Sequence, residues 1–266
     1  MVLQTTATLV ARAAVGRAQE LTLHAPALAR VLVPGQAILI KTSWGQDPYL
    51  RRTFYPVAID DETWSVRVPP SPDWGHAWLS AAPLGAELDC LGPVGVGFNV
   101  PPGVRHVLCV GADEPAWALL PAVQVAESRG LAVALAVEAR SVRELIPTQR
   151  LPAAVEYHAI TPDMGWPTQR WAELLTGRAS TPEQGLLAWA DLVLAAAPLP
   201  FYSQLAEAMR RVRYDLARGV VQVLYPASFL CGVGACQACV ADVAGGRRRV
   251  CLRGPVFDLV ELGGRD

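Results

Sequence analysis

The sequence predicts a β + α/β protein with an N-terminal antiparallel β-barrel, an open parallel α/β domain and a small C-terminal segment organised around cysteines. Three observations support this prediction. Residues 1 to about 100 alternate between apolar and polar with a period of two, strands and helices alternate from His106 onward, and four of the six cysteines lie between residues 231 and 251. We therefore expect three domains, at residues 1–102, 103–226 and 227–266.

The first hundred residues form short apolar runs that are separated by proline, glycine and aspartate, and no long helix is evident among them. Six strands at this spacing favour a small antiparallel barrel. The predicted strands are Thr8–Arg12, Glu20–His24, Gln36–Lys41, Tyr55–Ile59, Thr63–Val68 and Glu87–Leu91.

From His106 the pattern is that of βαβ units, which form an open parallel sheet and are the usual setting of a nucleotide-binding domain. Pro101–Gly103 is the predicted linker into this domain, and Tyr225–Pro226 is the predicted exit. The predicted strands are His106–Gly111, Leu131–Glu138, Val155–Ile160, Asp191–Ala196 and Val220–Leu224. The predicted helices are Glu114–Ser128, Ser141–Leu145, Pro167–Leu175, Pro182–Ala188 and Phe201–Val212.

Composition limits the possible functions. The 266 residues are 52% hydrophobic and 18% charged, which is enough to build sizeable cores. A net charge of −1 gives no electrostatic case for binding nucleic acid or membranes. The N-terminus has no charged region leading into an apolar run, and no apolar run is long enough to span a bilayer, so we expect a cytoplasmic protein.

The cysteine segment has the spacing of a plant-type [2Fe–2S] ligand set, C-x4-C-x2-C followed by a fourth cysteine after eleven residues. Small residues between the first two cysteines allow the sharp turn that three thiolates on one loop require. A hairpin over residues 240–251 would return the fourth. The candidate ligands are Cys231, Cys236, Cys239 and Cys251.

A zinc site, disulfides and buried free thiols are the alternatives for these cysteines. Structural zinc usually takes two C-x2-C pairs, whereas Cys236 and Cys239 form the only such pair. Cys90 and Cys109 lie in apolar runs, and we expect them to be core thiols.

Four stretches are similar to the motifs of one family. They are the cysteine segment with its closing Gly254–Phe257, the loop Leu91–Phe98, the strand Leu50–Ile59 and the turn Trp74–Ser80. In this order the chain resembles, over essentially its full length, the electron-transfer subunit of class B dihydroorotate dehydrogenases, a branch of the ferredoxin–NADP reductase superfamily. The resemblance implies FAD on the barrel and a [2Fe–2S] cluster on the four cysteines.

The strand Leu50–Ile59 is similar to the family's Arg-x-Phe/Tyr-Ser/Thr flavin motif. The resemblance implies that Arg52 pairs with the flavin pyrophosphate and that Phe54, on the same face, packs against the flavin. Tyr55 stands where the family has a hydroxyl residue that hydrogen-bonds the isoalloxazine. An arginine-rich edge strand is the alternative interpretation.

The turn Trp74–Ser80 is similar to the family's Gly-Thr-x-x-Leu-Ser helix entry, with Gly75 retained and His76 in place of threonine. Backbone N–H groups at such a helix start suit a pyrophosphate, although an ordinary helix start would have the same pattern.

The loop Leu91–Phe98 resembles the family's Gly-Pro-Leu-Gly-Asn-Gly-Phe. Its glycines would let the backbone approach a flat ligand, and a bare turn between domains would use them too. The glycines are Gly92, Gly95 and Gly97.

Two departures from the family concern the nicotinamide site. NADH-dependent relatives carry a Gly-Gly-Gly-x-Gly loop, whereas only Gly111 remains here and Asp113 and Glu114 place negative charge where a pyrophosphate would lie. These acids could also simply cap a helix. The family's Cys-Gly-Pro is Ala196–Pro198 in this chain. We therefore expect NAD(H) binding to be weakened or lost.

The resemblance implies electron transfer between FAD and the cluster, to or from a catalytic partner subunit in a hetero-oligomer, since no orotate site is evident in this chain. Arg247–Arg249 could dock an acidic partner or could be a solvated hairpin. Two alternatives remain: a non-enzymatic assembly subunit of a redox complex, or the related subunit of a sulfite reductase or hydrogenase.

Overall fold

The computed structural model describes residues 2–45, 47–164, 168–177, 185–213 and 216–262. The chain divides into two compact units. The first contains residues 1–98, 227–241 and 247–256, and the second contains residues 99–226, 242–246 and 257–266. The cysteine segment therefore clusters with the N-terminal strands, and the division into three domains at residues 102 and 226 stays a prediction.

The N-terminal strands form one seven-stranded sheet in the order β4-β3-β7-β1-β2-β6-β5. Its edge strands β4 and β5 are separated in sequence by Tyr55 alone, so the sheet curls round until its two edges meet. The strands are β1 (Leu3–Val15), β2 (Ala18–His24), β3 (Ala37–Ile40), β4 (Arg52–Phe54), β5 (Pro56–Ile59), β6 (Thr63–Val68) and β7 (Glu87–Val94), and the helices are α1 (Pro26–Ala29) and α2 (Trp74–Ala81).

Alternating apolar side chains build the core of this barrel. Leu21 and Leu23 on β2, Trp64 and Val66 on β6, and Ile38 on β3 are almost fully buried. Because successive side chains of a strand point to opposite faces, the period of two read from the sequence places these residues on one inner face. The sequence prediction of an antiparallel barrel is thus confirmed.

The second unit contains a sheet in the order β10-β9-β8-β11-β12-β15, whose pairings among β8 to β12 are all parallel. This confirms the predicted open α/β sheet. The strands are β8 (His106–Ala112), β9 (Ala132–Glu138), β10 (Glu156–Ile160), β11 (Leu192–Ala196), β12 (Val221–Leu224) and β15 (Val256–Asp258), and the helices are α3 (Leu120–Ser128), α4 (Thr168–Thr176), α5 (Leu186–Trp189), α6 (Leu199–Val212) and α8 (Leu259–Leu262).

Two predicted helices were wrong in type. The segment predicted as one helix from Glu114 to Ser128 begins as a 3₁₀ helix over Glu114–Leu119 and becomes α-helical only at Leu120. Pro121 explains the change, because it has no N–H to donate to the preceding turn. The segment Ser141–Leu145 contains only a 3₁₀ turn at Val142–Glu144. The predicted starts at Pro167 and Pro182 lie outside the described residues.

The cysteine segment contains a two-stranded ribbon of β13 (Val240–Val243) and β14 (Gly246–Arg249), followed by α7 (Val250–Arg253). The predicted hairpin is present, but Cys251 lies in the helical turn α7 and not, as predicted, in the returning strand. No helix within the described ranges is long and apolar enough to cross a membrane.

Candidate iron–sulfur and flavin site

The loop from Cys231 to Cys239 turns sharply because three of its residues have positive φ. These are Gly232 at 69°, Gly234 at 77° and Gln237 at 57°. A Cβ on Gly234 would lie 2.5 Å from the side chain of Leu252, and one on Gly232 would lie 3.1 Å from that of Val94. Both glycines are therefore required by backbone conformation and by close packing.

The four cysteines are arranged as two pairs. The side chains of Cys231 and Cys236 are within hydrogen-bonding distance of each other, and those of Cys239 and Cys251 are as well. Cys231 and Cys236 are accessible, whereas Cys239 and Cys251 are buried. Two thiolates for each of two irons is the ligand arrangement of a [2Fe–2S] cluster, so the donor set fits that group.

Backbone dipoles favour a thiolate at the first cysteine. Burial alone raises the pKa of the Cys231 thiol, but three loop N–H groups and the Cys236 side chain donate hydrogen bonds to its sulfur and lower that pKa to about 6. The N–H groups belong to Cys236, Val233 and Ala235. In contrast, burial, and then the hydrogen bond to Cys239, raise the pKa of Cys251 to about 12.

The alternatives for the cysteines fit less well. All six cysteines are free thiols, so no disulfide is formed. Among the described residues no group of three or more His, Cys, Asp or Glu side chains converges on a point that could hold a single metal ion. A tetrahedral zinc ion needs such convergence, whereas a binuclear cluster is bound by separate pairs. Cys90 and Cys109 are buried, as expected for core thiols.

The segment that carries Cys251 is hydrogen-bonded directly to the cysteine loop. The N–H of Val250 donates to the carbonyl of Cys239 at 2.7 Å, and the Arg249 guanidinium donates to the carbonyl of Gly234, also at 2.7 Å. These two bonds place α7, and with it Cys251, against the loop that carries the other three cysteines.

Arg52, the predicted pyrophosphate ligand, forms a bidentate ion pair with Asp73. Its Nε lies 2.9 and 3.1 Å from the two carboxylate oxygens, and one terminal nitrogen lies 2.9 Å from Oδ2. The other terminal nitrogen donates to the carbonyl of Leu50 at 2.7 Å. The hydrogen bond from Arg52 holds the pKa of Asp73 far below its ordinary value.

Asp73 also caps α2, because its Oδ1 accepts a hydrogen bond from the N–H of His76 at 3.1 Å. One carboxylate thus occupies both features that the sequence assigned to a phosphate, the arginine and the helix start. Asp73 is a site residue that the sequence analysis missed.

The remaining flavin candidates surround this ion pair. The Phe54 ring contacts the His76 ring edge-on at a centroid distance of 5.4 Å. Gly75 is buried, and a Cβ there would overlap the hydroxyl of Thr42 and crowd Asp73 and Arg52. The Thr42 hydroxyl is buried without a hydrogen-bond partner. A buried orphan hydroxyl beside a glycine cradle, a helix start and an arginine fits a phosphate-containing ligand.

Tyr55 and Thr53 point away from Arg52 and Phe54. The Tyr55 hydroxyl donates to the carbonyl of Ala227 at 3.1 Å and accepts from the N–H of Ala227 at 3.3 Å. The Thr53 hydroxyl accepts from the N–H of Phe229 at 2.7 Å. The Tyr55 hydroxyl is therefore committed to the segment that precedes the cysteines, and is not free in the way the resemblance implied.

The glycine loop after β7 packs on the protein's own backbone. A Cβ on Gly95 would overlap the carbonyl of Gly254, and one on Gly97 would lie 2.5 Å from the carbonyl of Pro34. Val96 pairs with Pro255 in an isolated bridge. A Cβ on Gly92 would meet only ordinary contacts, with side chains 3.4 Å away. For Gly95 and Gly97 the close approach is thus between protein segments.

Comparison with known proteins identifies an iron–sulfur segment at residues 227–263. Residues 227–263 match the family model described as the iron–sulfur cluster binding domain of dihydroorotate dehydrogenase B. The electron transfer subunits of dihydroorotate dehydrogenase B (NAD(+)) from Bacillus caldolyticus and Geobacillus thermodenitrificans are 28% and 29% identical over 254 residues, with 92% of this chain and 93% of each relative covered. The chain is a relative of these electron transfer subunits.

Solved structures place this relative of the dihydroorotate dehydrogenase B subunits in a wider fold group. The NADH-dependent reduced ferredoxin–NADP oxidoreductase has a TM-score of 0.77 at 18% identity, with 96% of this chain and 88% of that chain covered. The ferredoxin reductase in carbazole 1,9a-dioxygenase has a TM-score of 0.67 at 18% identity, covering 84% of this chain and 69% of that one. At this identity these likenesses show the fold alone.

The loop after β8 carries the first departure from the dihydroorotate dehydrogenase B family's glycine-rich pattern. Asp113 has a φ of 53°, a conformation that favours glycine, and its carboxylate lies 3.4 Å from Arg140. Burial, and then the Asp113 charge, raise the pKa of Glu138. A Cβ on Gly111 would lie 2.5 Å from that of Ala116, so the retained glycine serves helix packing.

The second departure, Ala196–Pro198, lies at the end of β11. Ala196 and Ala197 are fully buried, and the N–H of Ala197 donates to the Tyr202 hydroxyl at 3.0 Å. The Tyr202 hydroxyl donates in turn to the carbonyl of Leu224. These positions are occupied by internal packing and hydrogen bonding.

Proposed function

We propose that this chain is an electron-transfer subunit that passes electrons between FAD and a [2Fe–2S] cluster, to or from a separate catalytic subunit. The observation that carries the proposal is the arrangement of the four cysteines as two pairs, together with hydrogen bonds from the segment just before Cys231 to Thr53 and Tyr55, which are the sequence neighbours of Arg52 and Phe54. Residues suited to hold the two groups thus belong to one compact unit.

When bound, FAD exchanges one or two electrons and the cluster exchanges one, which lets two-electron and one-electron carriers be linked. Cys231 and Cys236 would hold one iron, and Cys239 and Cys251 the other. Arg52 and the N-terminus of α2 at Gly75 and His76 would bind the pyrophosphate, and Phe54 would pack on the flavin ring. The chain would bind and orient these groups, and the partner subunit would bind the substrate.

We infer in addition that NAD(H) binds weakly or not at all. Asp113, Glu114 and Glu138 place acidic groups around the end of β8, and a dinucleotide pyrophosphate would meet like charge there. Arg140, which follows β9, lies 3.4 Å from Asp113 and offsets part of the charge of that residue. Electrons would then reach this chain from its partner.

The surface around the accessible cysteines suits a protein partner. Leu230, Val233 and Leu252 are exposed apolar side chains on the cysteine loop and on α7, and Arg248 and Arg253 are exposed basic residues nearby in sequence. An apolar patch with a basic edge fits a catalytic subunit whose docking face is apolar with an acidic rim. We propose a cytoplasmic hetero-oligomer with such a catalytic redox subunit.

Anaerobic purification tests the proposal. We expect about two irons and two sulfides per chain, a flavin absorbance band and FAD released by acid. Cys236→Ala should lose the cluster, while Cys109→Ala, which removes a buried thiol of the second unit, should retain it. A chain with the cluster but no flavin would contradict the proposal and indicate a scaffold subunit, and rapid flavin bleaching by micromolar NADH would contradict the inference about NAD(H).

A further inference from the structure

Strand β4 presents two faces with different partners. Arg52 and Phe54 point to the face that contains Asp73 and His76. Thr53 and the following Tyr55 point to the opposite side, as alternation along a strand requires. Along these four consecutive residues, the side chains therefore alternate between the proposed flavin site and the cysteine segment.

The partners of the second face lie just before the first cysteine. Ala227 and Phe229 precede Cys231 by four and two residues in sequence, and neither belongs to a helix or strand. Three hydrogen bonds satisfy backbone groups of this segment: the Tyr55 hydroxyl donates to the carbonyl of Ala227 and accepts from its N–H, and the Thr53 hydroxyl accepts from the N–H of Phe229. Phe229 is almost fully buried, so the segment is anchored by packing as well.

The identity of residue 55 matters for this contact. A serine or threonine hydroxyl is bonded directly to Cβ and would not reach the Ala227 backbone, which the Tyr55 hydroxyl reaches across the aromatic ring. The tyrosine that departs from the family's flavin motif is thus the residue that makes two of the three bonds.

From this geometry we infer that Thr53 and Tyr55 are positioning residues, which hold the segment leading into the cysteine loop against one face of the strand whose other face carries the proposed flavin contacts. The inference rests on the proposed function. Electron transfer slows steeply as the distance between carriers grows, and the reduction potential of a cluster depends on its solvent exposure and on the hydrogen bonds to its sulfurs, both of which change if the cysteine loop moves. A fixed spacing between the two faces of β4 would therefore set both the rate of transfer and the potential.

The test compares Tyr55→Phe, which removes both hydroxyl bonds and keeps the ring, with Thr53→Val and the conservative Thr53→Ser. Tyr225→Phe is the matched control, because it removes a phenol oxygen from the stretch between β12 and the cysteine loop. The measurements are flavin and iron content, the EPR spectrum and reduction potential of the cluster, the rate at which photoreduced flavin loses its electron, and the rate of iron loss to a chelator.

We expect Tyr55→Phe and Thr53→Val to retain flavin, to shift the EPR spectrum and the reduction potential of the cluster, and to slow electron transfer from flavin to cluster. Both variants should also lose iron about tenfold faster, as the loss of one or two ordinary hydrogen bonds implies. Thr53→Ser and Tyr225→Phe should behave as the wild-type chain.

The outcomes separate the two proposals. If the wild-type chain holds both groups and all variants share its potential, EPR spectrum and rates, the positioning role is overturned and the proposed function stands. A wild-type chain with a cluster but no flavin overturns the proposed function, and the positioning role is then judged on the cluster measurements. A wild-type chain without a cluster overturns both.

Discussion

Replacing Asp73 by asparagine tests whether the chain's own carboxylate competes with a phosphate at the proposed flavin site. Asp73 binds Arg52 through three contacts of 2.9–3.1 Å and caps α2 through the N–H of His76. Asparagine is nearly isosteric and caps helices equally well, so the change removes mainly the negative charge. The cap and the fold should survive.

The expected change in FAD affinity follows from the distance between the two negative charges. A pyrophosphate bound by Arg52 would lie about 6 Å from Asp73, where two like charges repel by about 3 kcal/mol at an effective dielectric constant of about 20. The Asp73 side chain is about one-third exposed, so solvent screening reduces this repulsion to about 1 kcal/mol. Asp73→Asn should therefore bind FAD about fivefold more tightly.

The same substitution should destabilise the ligand-free protein. A partly exposed bidentate pair contributes about 1 kcal/mol to the free energy of unfolding. Because the pKa of Asp73 is depressed in the folded state, this contribution is fully present above the unfolded-state pKa of about 4 and is lost progressively as the pH falls from there through the depressed folded-state pKa. The stability difference between wild type and variant should therefore shrink progressively as the pH falls below about 4.

Fluorescence titration of the deflavinated protein with FAD and urea unfolding at several pH values measure the two effects. Asp61→Asn, at an exposed acid in the turn between β5 and β6, is the matched control and should change neither. Weaker FAD binding by Asp73→Asn would refute the reasoning, because it would mean that Asp73 orients Arg52 for the phosphate and does not compete with it.

Two further substitutions test the cluster loop and the nicotinamide loop. Gly234→Ala should lower iron content several-fold, because its Cβ would lie 2.5 Å from the side chain of Leu252. Gly85→Ala is the control and should retain full iron content, since Gly85 has a similar positive φ but open space around it. Equal iron loss in both variants would mean that backbone strain alone causes the effect. Asp113→Gly should raise the free energy of unfolding by about 1 kcal/mol, because glycine adopts the positive φ of this position without strain. The variant should also speed the reduction of flavin by NADH. A less stable variant would show that the ion pair with Arg140 outweighs the strain.

The sequence predicted the fold correctly because the fold depends on local patterns, and the cluster ligands, which stay a prediction, were also read from a local pattern. The cysteine spacing, the period of two in the barrel and the alternation of strand and helix can each be read within a short window. The change from 3₁₀ to α-helix near Pro121 also has a local cause, the missing N–H of proline, and could have been predicted from the sequence.

The contacts that define the candidate flavin site could not be predicted in the same way. Asp73 reaches Arg52 across 21 residues, and Tyr55 reaches Ala227 across 172. Nothing in the local sequence distinguishes an N-cap aspartate that also binds an arginine from an ordinary cap. The orphan hydroxyl of Thr42 becomes visible only when the barrel brings Gly75 against it.

The alternation of β4 also limits how such chains can be recombined. Deleting or inserting one residue between Arg52 and Tyr55 would exchange the two faces, so that the arginine and phenylalanine met the cysteine segment and the two hydroxyls met α2. A chimera that joins this cysteine segment to another barrel would likewise lose its attachment unless residues equivalent to Thr53 and Tyr55 are carried with it. The barrel edge and the residues before Cys231 thus form one transferable part, although 171 residues of sequence separate Tyr55 from Ala227.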